Sequence, residues 1–188
     1  IYPYREVSLT DSASLAIANK STNYWISMNK KFRGYSYVAA SSMASLLNKG
    51  NLAYNFLDTF LLKHAEVNGL YAEAGPCFET PHGMTNSLLE MLLQSQEPII
   101  QVFPAIPDAW EEASFENLRA EGAFLVSAAR KSSKTAVVIV KSEKGGFEIE
   151  QDYLQGFIDQ FGDGPLGELD PNEWTALDFL EWLKLNNY

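Results

Sequence analysis

Residues 46–56, Leu46-Leu47-Asn48-Lys49-Gly50-Asn51-Leu52-Ala53-Tyr54-Asn55-Phe56, decide the fold. After Lys49 a helix-ending glycine and a helix-capping asparagine stand side by side, so one helix stops and another starts within three residues. Two helices joined by so short a turn lie antiparallel, as an αα-hairpin. Working backward, residues 37–48 form the first arm, with Val38, Met43, Leu46 and Leu47 apolar and Ser41, Ser42 and Ser45 between them. Working forward, residues 52–67 form the second, with Leu52, Phe56 and Phe60 at i, i+4 and i+8, and Ala53, Leu57 and Leu61 beside them. An earlier short helix is expected from a cap at Thr10 or Asp11 to Lys20, with Leu15, Ala16 and Ile17 on a small apolar face.

A loop of mixed chemistry follows at residues 68–82. A third strong helix, residues 83–95, then holds Leu88, Leu89, Met91, Leu92 and Leu93 and is apolar nearly all round. Such a helix belongs inside a larger assembly, so helical partners are expected to precede residue 1. The opening Ile1-Tyr2-Pro3 lacks methionine, in keeping with a chain processed or cut from a longer polypeptide. From Pro98 the period changes. Short β-rich runs at 99–103, 123–129, 136–140 and 147–149 are separated by Lys131-Ser132-Ser133-Lys134 and Lys144-Gly145-Gly146, a pattern of hairpins. The expected organisation is residues 1–97 helical, 98–150 a β-sheet domain, and 151–188 an acidic tail ending in an amphipathic helix at 172–185. The fold class is α+β.

Of 188 residues, 46% are hydrophobic and 13% aromatic, enough apolar surface for a packed core and too much for a disordered chain. Cys77 has no second thiol for an intrachain disulfide, and two histidines leave too few ligands for a four-coordinate structural zinc. The net charge of −10 argues against a surface that tracks phosphates, so no nucleic-acid partner is expected. The acidity is local: Glu148, Glu150, Asp152, Asp159, Asp163, Glu168, Asp170, Glu173, Asp178 and Glu181 face one base, Lys184, in residues 145–188. Asp159, Asp163, Glu168 and Asp170 do not follow the spacing of a calcium loop, so a solvated face is expected there, and no metal or other cofactor. No run reaches the roughly 18 apolar residues of a membrane span, and the N-terminus carries no signal-peptide pattern, so no membrane partner is expected.

Residues 71–96 contain Tyr71-Ala72-Glu73-Ala74-Gly75-Pro76-Cys77-Phe78-Glu79-Thr80-Pro81-His82 and then Glu90-Met91-Leu92-Leu93-Gln94-Ser95. Downstream stand Pro104-Ala105-Ile106-Pro107-Asp108-Ala109-Trp110 and Leu118-Arg119-Ala120-Glu121-Gly122-Ala123-Phe124, and upstream Gly50-Asn51-Leu52-Ala53-Tyr54. Together these resemble the C-terminal part of family 95 glycoside hydrolases, the α-L-fucosidase and α-L-galactosidase group, over roughly residues 20–130. The resemblance implies the last helical hairpins of an (α/α)6-barrel followed by a small antiparallel β-domain. It places the family's catalytic aspartate on Glu79, where Phe-Glu-Thr-Pro-His stands in place of Ile-Asp-Gly-Asn-Phe, one methylene longer. In the family this carboxylate helps asparagines activate water in an inverting hydrolysis, and an earlier glutamic acid protonates the leaving sugar. Neither those asparagines nor that acid is found in these 188 residues. A secreted or periplasmic location follows if the parent enzyme is processed.

Read from the residues themselves, Glu73 and Glu79 flank Gly75-Pro76 beside Tyr71, Phe78 and His82, carboxylates among rings suited to a sugar face. Glu79 equally suits the start of the following helix, where the dipole favours an acid. His82 is a candidate for a sugar hydroxyl or for a local hydrogen bond at a helix start. Trp25 is a candidate stacking platform or a core residue, while His64 and Cys77 read as structural. Two functions follow. One is a glycosidase segment that binds carbohydrate, is inactive by itself, and partners the missing N-terminal part of the same enzyme or another copy of itself. The other is a stand-alone carbohydrate-binding or protein-interaction module without catalysis.

Overall fold

The computed structural model describes residues 2–4, 6–9, 11–72, 76–95 and 99–144. The strand expected at 147–149 and the acidic tail at 151–188 lie outside the described residues. Contacts divide the chain after Ala109 into two compact units, whose described residues are mainly helical in the first and a sheet in the second. The class is α+β.

Helix α1 (Ser12–Ser27) starts where the sequence places a cap: the Asp11 carboxylate accepts the Ser14 N–H at 2.7 Å. It runs beyond Lys20 because nothing in residues 21–27 breaks a helix, and because Ala18 and Thr22, one turn apart, are both buried. Helix α2 (Gly34–Leu46) begins three residues before the expected position. Gly34 admits the Tyr71 ring, whose atoms stand 2.4–2.9 Å from where a Cβ would lie, and the Gly34 N–H donates to the Tyr71 hydroxyl at 3.0 Å. Helix α3 (Gly50–Lys63) follows, ending before the expected Val67 as the His64 N–H returns to the Phe60 carbonyl.

The αα-hairpin is built differently from the reading of residues 46–56. The left-handed turn residue is Asn48, at φ 57°, a conformation asparagine tolerates, and Gly50 already lies within α3. Lys49 precedes α3 with no side-chain cap, and the Asn51 amide is engaged elsewhere. Gly50 is required by a close approach instead: a Cβ there would stand 2.4–2.5 Å from backbone atoms of Ala105 and Ile106.

Between α3 and the last helix, β1 (Tyr71–Ala72) and β2 (Pro76–Cys77) pair antiparallel with Tyr71 opposite Cys77. Helix α4 (Glu79–Leu92) then starts four residues earlier than expected and stops before Leu93, which turns extended. Strand β3 (Leu93–Gln94) pairs with β4 (Gln101–Val102), so the apolar run that reads as helix supplies a strand at its end. Val38, Phe60 and Tyr71 form a core with Tyr37, Ala65, Cys77 and Met84 packed on it.

Helix α2 packs against both α3 and α4 through small residues. Ser41 Oγ donates to the Ala53 carbonyl at 2.8 Å and accepts from Ser87 Oγ at 2.6 Å, all buried. Gln94 Nε2 donates to the carbonyls of Ser45 and Glu90, both at 2.9 Å. Helix α4 therefore turns Ser87, Glu90 and Met91 inward, while Leu88 and Leu89 stay 38% and 40% exposed.

The second unit is a meander of β5 (Ala113–Ala120), β6 (Phe124–Lys131) and β7 (Lys134–Ser142) in the order β5-β6-β7. Strand β5 is not legible as a strand because a bulge between Phe115 and Leu118 breaks its alternation. Asn117 sits at φ 52°, and its N–H donates to Ser127 Oγ at 2.9 Å, so the amide freed by the bulge keeps a partner. Ser132 and Ser133 both adopt positive φ in the tight β6–β7 turn, the backbone that matches strand twist. On the central strand Val126, Ala128 and Ala129 are fully buried.

Candidate functional site

Within residues 71–82, β1 pairs with β2, and β2 leads through Phe78 into α4, which already includes residues 79–82. Phe78, at φ −92° and ψ −31°, precedes the helix without a side-chain cap and is itself exposed. Glu79 is the first residue of α4, exposed and in its first turn, where the partial positive charge of the free amides favours a carboxylate. The position meets the reading of Glu79 as a helix-start acid. Glu73 lies outside the described residues.

His82 Nδ1 stands 2.7 Å from the Phe78 carbonyl oxygen. A carbonyl only accepts, so the neutral ring carries its proton on Nδ1 and presents Nε2 as an acceptor. One ring atom thus serves the helix start and the other remains for a hydroxyl donor. The ring is exposed, three residues after Glu79 and on the same turn.

Tyr71 is placed otherwise than at a sugar face. It is 4% exposed, its hydroxyl accepts the Gly34 N–H, and its ring meets Phe60 and His64 edge-on at 6.0 Å. The alternation of the short strand turns it inward, so both hydroxyl and ring are spent on the core. Trp25 is half-buried and packs on Phe32, with ring centroids 4.6 Å apart. Phe32 in turn meets Tyr37 at 5.6 Å and Phe56 at 6.3 Å, so Trp25 forms the end of an internal aromatic series. His64 lies in the same series, 5.2 Å from Tyr37. Of the five sequence candidates, the geometry keeps Glu79 and His82 together on an accessible turn and draws Tyr71 and Trp25 into packing.

A second polar cluster escaped the sequence reading. Glu90 is 3% exposed and its Oε1 accepts from Asn86 Nδ2 at 2.8 Å. The Tyr2 and Tyr35 hydroxyls share a hydrogen bond of 2.8 Å near Gly83, where an added Cβ would stand 3.7 Å from the Tyr2 oxygen. Burial, the bond to Tyr35 and the negative charge of Glu90 together hold the Tyr2 phenol well above its ordinary value. The i, i+4 spacing of Asn86 and Glu90 was the available signal, hidden because leucines dominate that helix.

Among the described residues, no three of His, Cys, Asp and Glu come together as a metal site, and no helix is long and apolar enough to cross a membrane. No curated protein matches the chain. Residues 94–156, which begin at the last residue of β3 and take in the whole β5-β6-β7 sheet, match the family model described as glycoside hydrolase family 95, C-terminal domain, so over this stretch the chain is similar to the C-terminal part of a family 95 enzyme.

Proposed function

We propose that the chain is the C-terminal segment of an inverting glycoside hydrolase of the α-L-fucosidase type, acting on carbohydrate and inactive by itself. The match over residues 94–156 carries this reading, because it adjoins the helix whose first turn bears Glu79. Glu79 is the carboxylate that activates water, and His82 Nε2 takes a hydroxyl of the sugar. Inverting hydrolysis sets its two carboxyl groups about 6.5–9.5 Å apart across the scissile bond, with water on one side. The resemblance assigns the proton donor to a glutamic acid earlier than the residues in this sequence. The outward leucines support that assignment: Leu88 and Leu89 of α4, with Leu61 and Leu62 of α3 at 49% and 76% exposure, suit helices that take further partners in an (α/α)6-barrel.

Without a general acid, cleavage forgoes about 10²–10⁴-fold in rate. The 188-residue chain is therefore expected to leave aryl α-L-fucoside and aryl α-L-galactoside intact. Turnover that disappears on Glu73→Gln would show that this loop supplies both carboxyl groups and would overturn the segment reading. In the longer protein, Glu79→Gln keeps the side-chain shape and removes the base, so turnover should vanish while the circular dichroism spectrum stays unchanged. Normal hydrolysis by that variant would refute the role of Glu79.

A further inference from the structure

The strongest unassigned feature lies away from the α4 turn, where the first unit ends. Asn51, on the first turn of α3, makes two hydrogen bonds with one residue 57 positions downstream. Its Oδ1 accepts the Asp108 backbone N–H at 2.8 Å, and its Nδ2 donates to Asp108 Oδ2 at 2.7 Å. The polarity is unambiguous. A backbone N–H only donates, so it selects the amide oxygen of Asn51, and a carboxylate only accepts, so it selects the amide nitrogen. Neither aspartate nor leucine at position 51 could make both bonds.

Beside this pair, Gly50 lets the backbone of Ala105 and Ile106 approach so closely that a Cβ would stand 2.4–2.5 Å from it. Ala105 is 1% exposed, and its N–H donates to the Met91 carbonyl at the end of α4. Residues 105–108 are thus held at both ends, by α4 through Ala105 and by α3 through Asp108. The unit boundary falls directly after Ala109, one residue beyond the Asn51 contact.

We infer that Gly50, Asn51 and Asp108 form a latch that fixes the point at which the connection to the sheet unit leaves the helical unit. The two bonds are exposed on the surface, beyond the buried Ala105 and Pro107, so opening them releases the connection from Asp108 onward while the helices stay folded. One of the two bonds is to a charged group, the stronger kind, which gives a small surface pair enough energy to matter.

Hydrogen exchange on the full chain tests this directly. The Asp108 amide in the unaltered protein should exchange at least about tenfold more slowly than an unstructured amide of the same sequence; exchange at the unstructured rate would overturn the latch. Asn51→Asp keeps an acceptor for that N–H but sets a second carboxylate against Asp108, so protection at 108 should fall and residues 108–112 should become open to limited proteolysis. Adding Asp108→Asn reverses the direction of the side-chain bond and restores it. The double variant N51D/D108N should therefore recover protection at 108 and resistance to proteolysis. A double variant no better protected than N51D, or an N51D variant as protected as the unaltered chain, would refute the proposal.

Discussion

The helical unit carries Ser41, Ser42, Ser45, Thr80, Ser87, Glu90 and Gln94 in its interior, whereas in the sheet unit the described buried residues are Val126, Ala128, Ala129 and other apolar side chains, with Ser127 the polar member. The difference follows from how each element spends its backbone. An α-helix satisfies its own amides and carbonyls, so bonds between two helices come from side chains. Strands are joined by the backbone itself, leaving side chains free to be apolar, and Ser127 is needed only where the bulge at Asn117 interrupts that ladder. Alanine and serine on α2 let α3 and α4 approach closely, and the buried hydroxyls of Ser41 and Ser45 donate to the Ala53 and Ser41 carbonyls, while that of Ser42 has no hydrogen-bond partner among the described residues.

Three changes probe that contrast. The largest effect belongs to plain packing: Met91 is fully buried on α4, and Met91→Ala should lower stability by about 2–5 kcal/mol in chemical denaturation. Next comes Ser41→Ala, which removes the acceptor for Ser87 Oγ and the donor to the Ala53 carbonyl, at a cost of about 1–3 kcal/mol. A Ser41→Ala loss greater than that of Met91→Ala would mean that the polar seam, and not apolar burial, dominates the helical unit.

The smallest effect is at the start of α1. Hydrogen bonds from Ser14 hold the Asp11 carboxyl below its ordinary value. A lowered pKa in the folded state contributes stability above the ordinary carboxylate value, and that contribution is lost as pH falls through the lowered one. Acidification below that range should fray α1 by amide exchange at residues 12–15, and Asp11→Ala should remove the pH dependence. Fraying of the same amides at neutral pH in the unaltered chain would refute the cap.

Much of the first unit was legible in advance. The three-residue gap between the apolar repeats of α2 and α3 requires an antiparallel hairpin whatever surrounds it. The cap at Asp11 is local chemistry, and so is the Glu79 position at a helix start. Strand β5 was hidden because its bulge displaces the alternation on which a strand is recognised. The end of α4 was misread because Leu92 and Leu93 have no local signal between them, and only pairing with Gln101 and Val102 turns Leu93 into a strand.

The amino-acid sequence by itself determined the α+β class, the helical hairpin, the similarity to a family 95 C-terminal part and the presence of an acid at the head of α4. These rest on short-range patterns, periodicity, caps and motif spacing, which are properties of neighbouring residues. Tertiary structure alone decided that Tyr71 faces Gly34 and the core, that Gly50 serves a close approach and not a turn, and that Asn51 reaches Asp108. Each depends on which surface another element presents from 37 to 57 positions away, and local propensity carries no information about a partner at that distance.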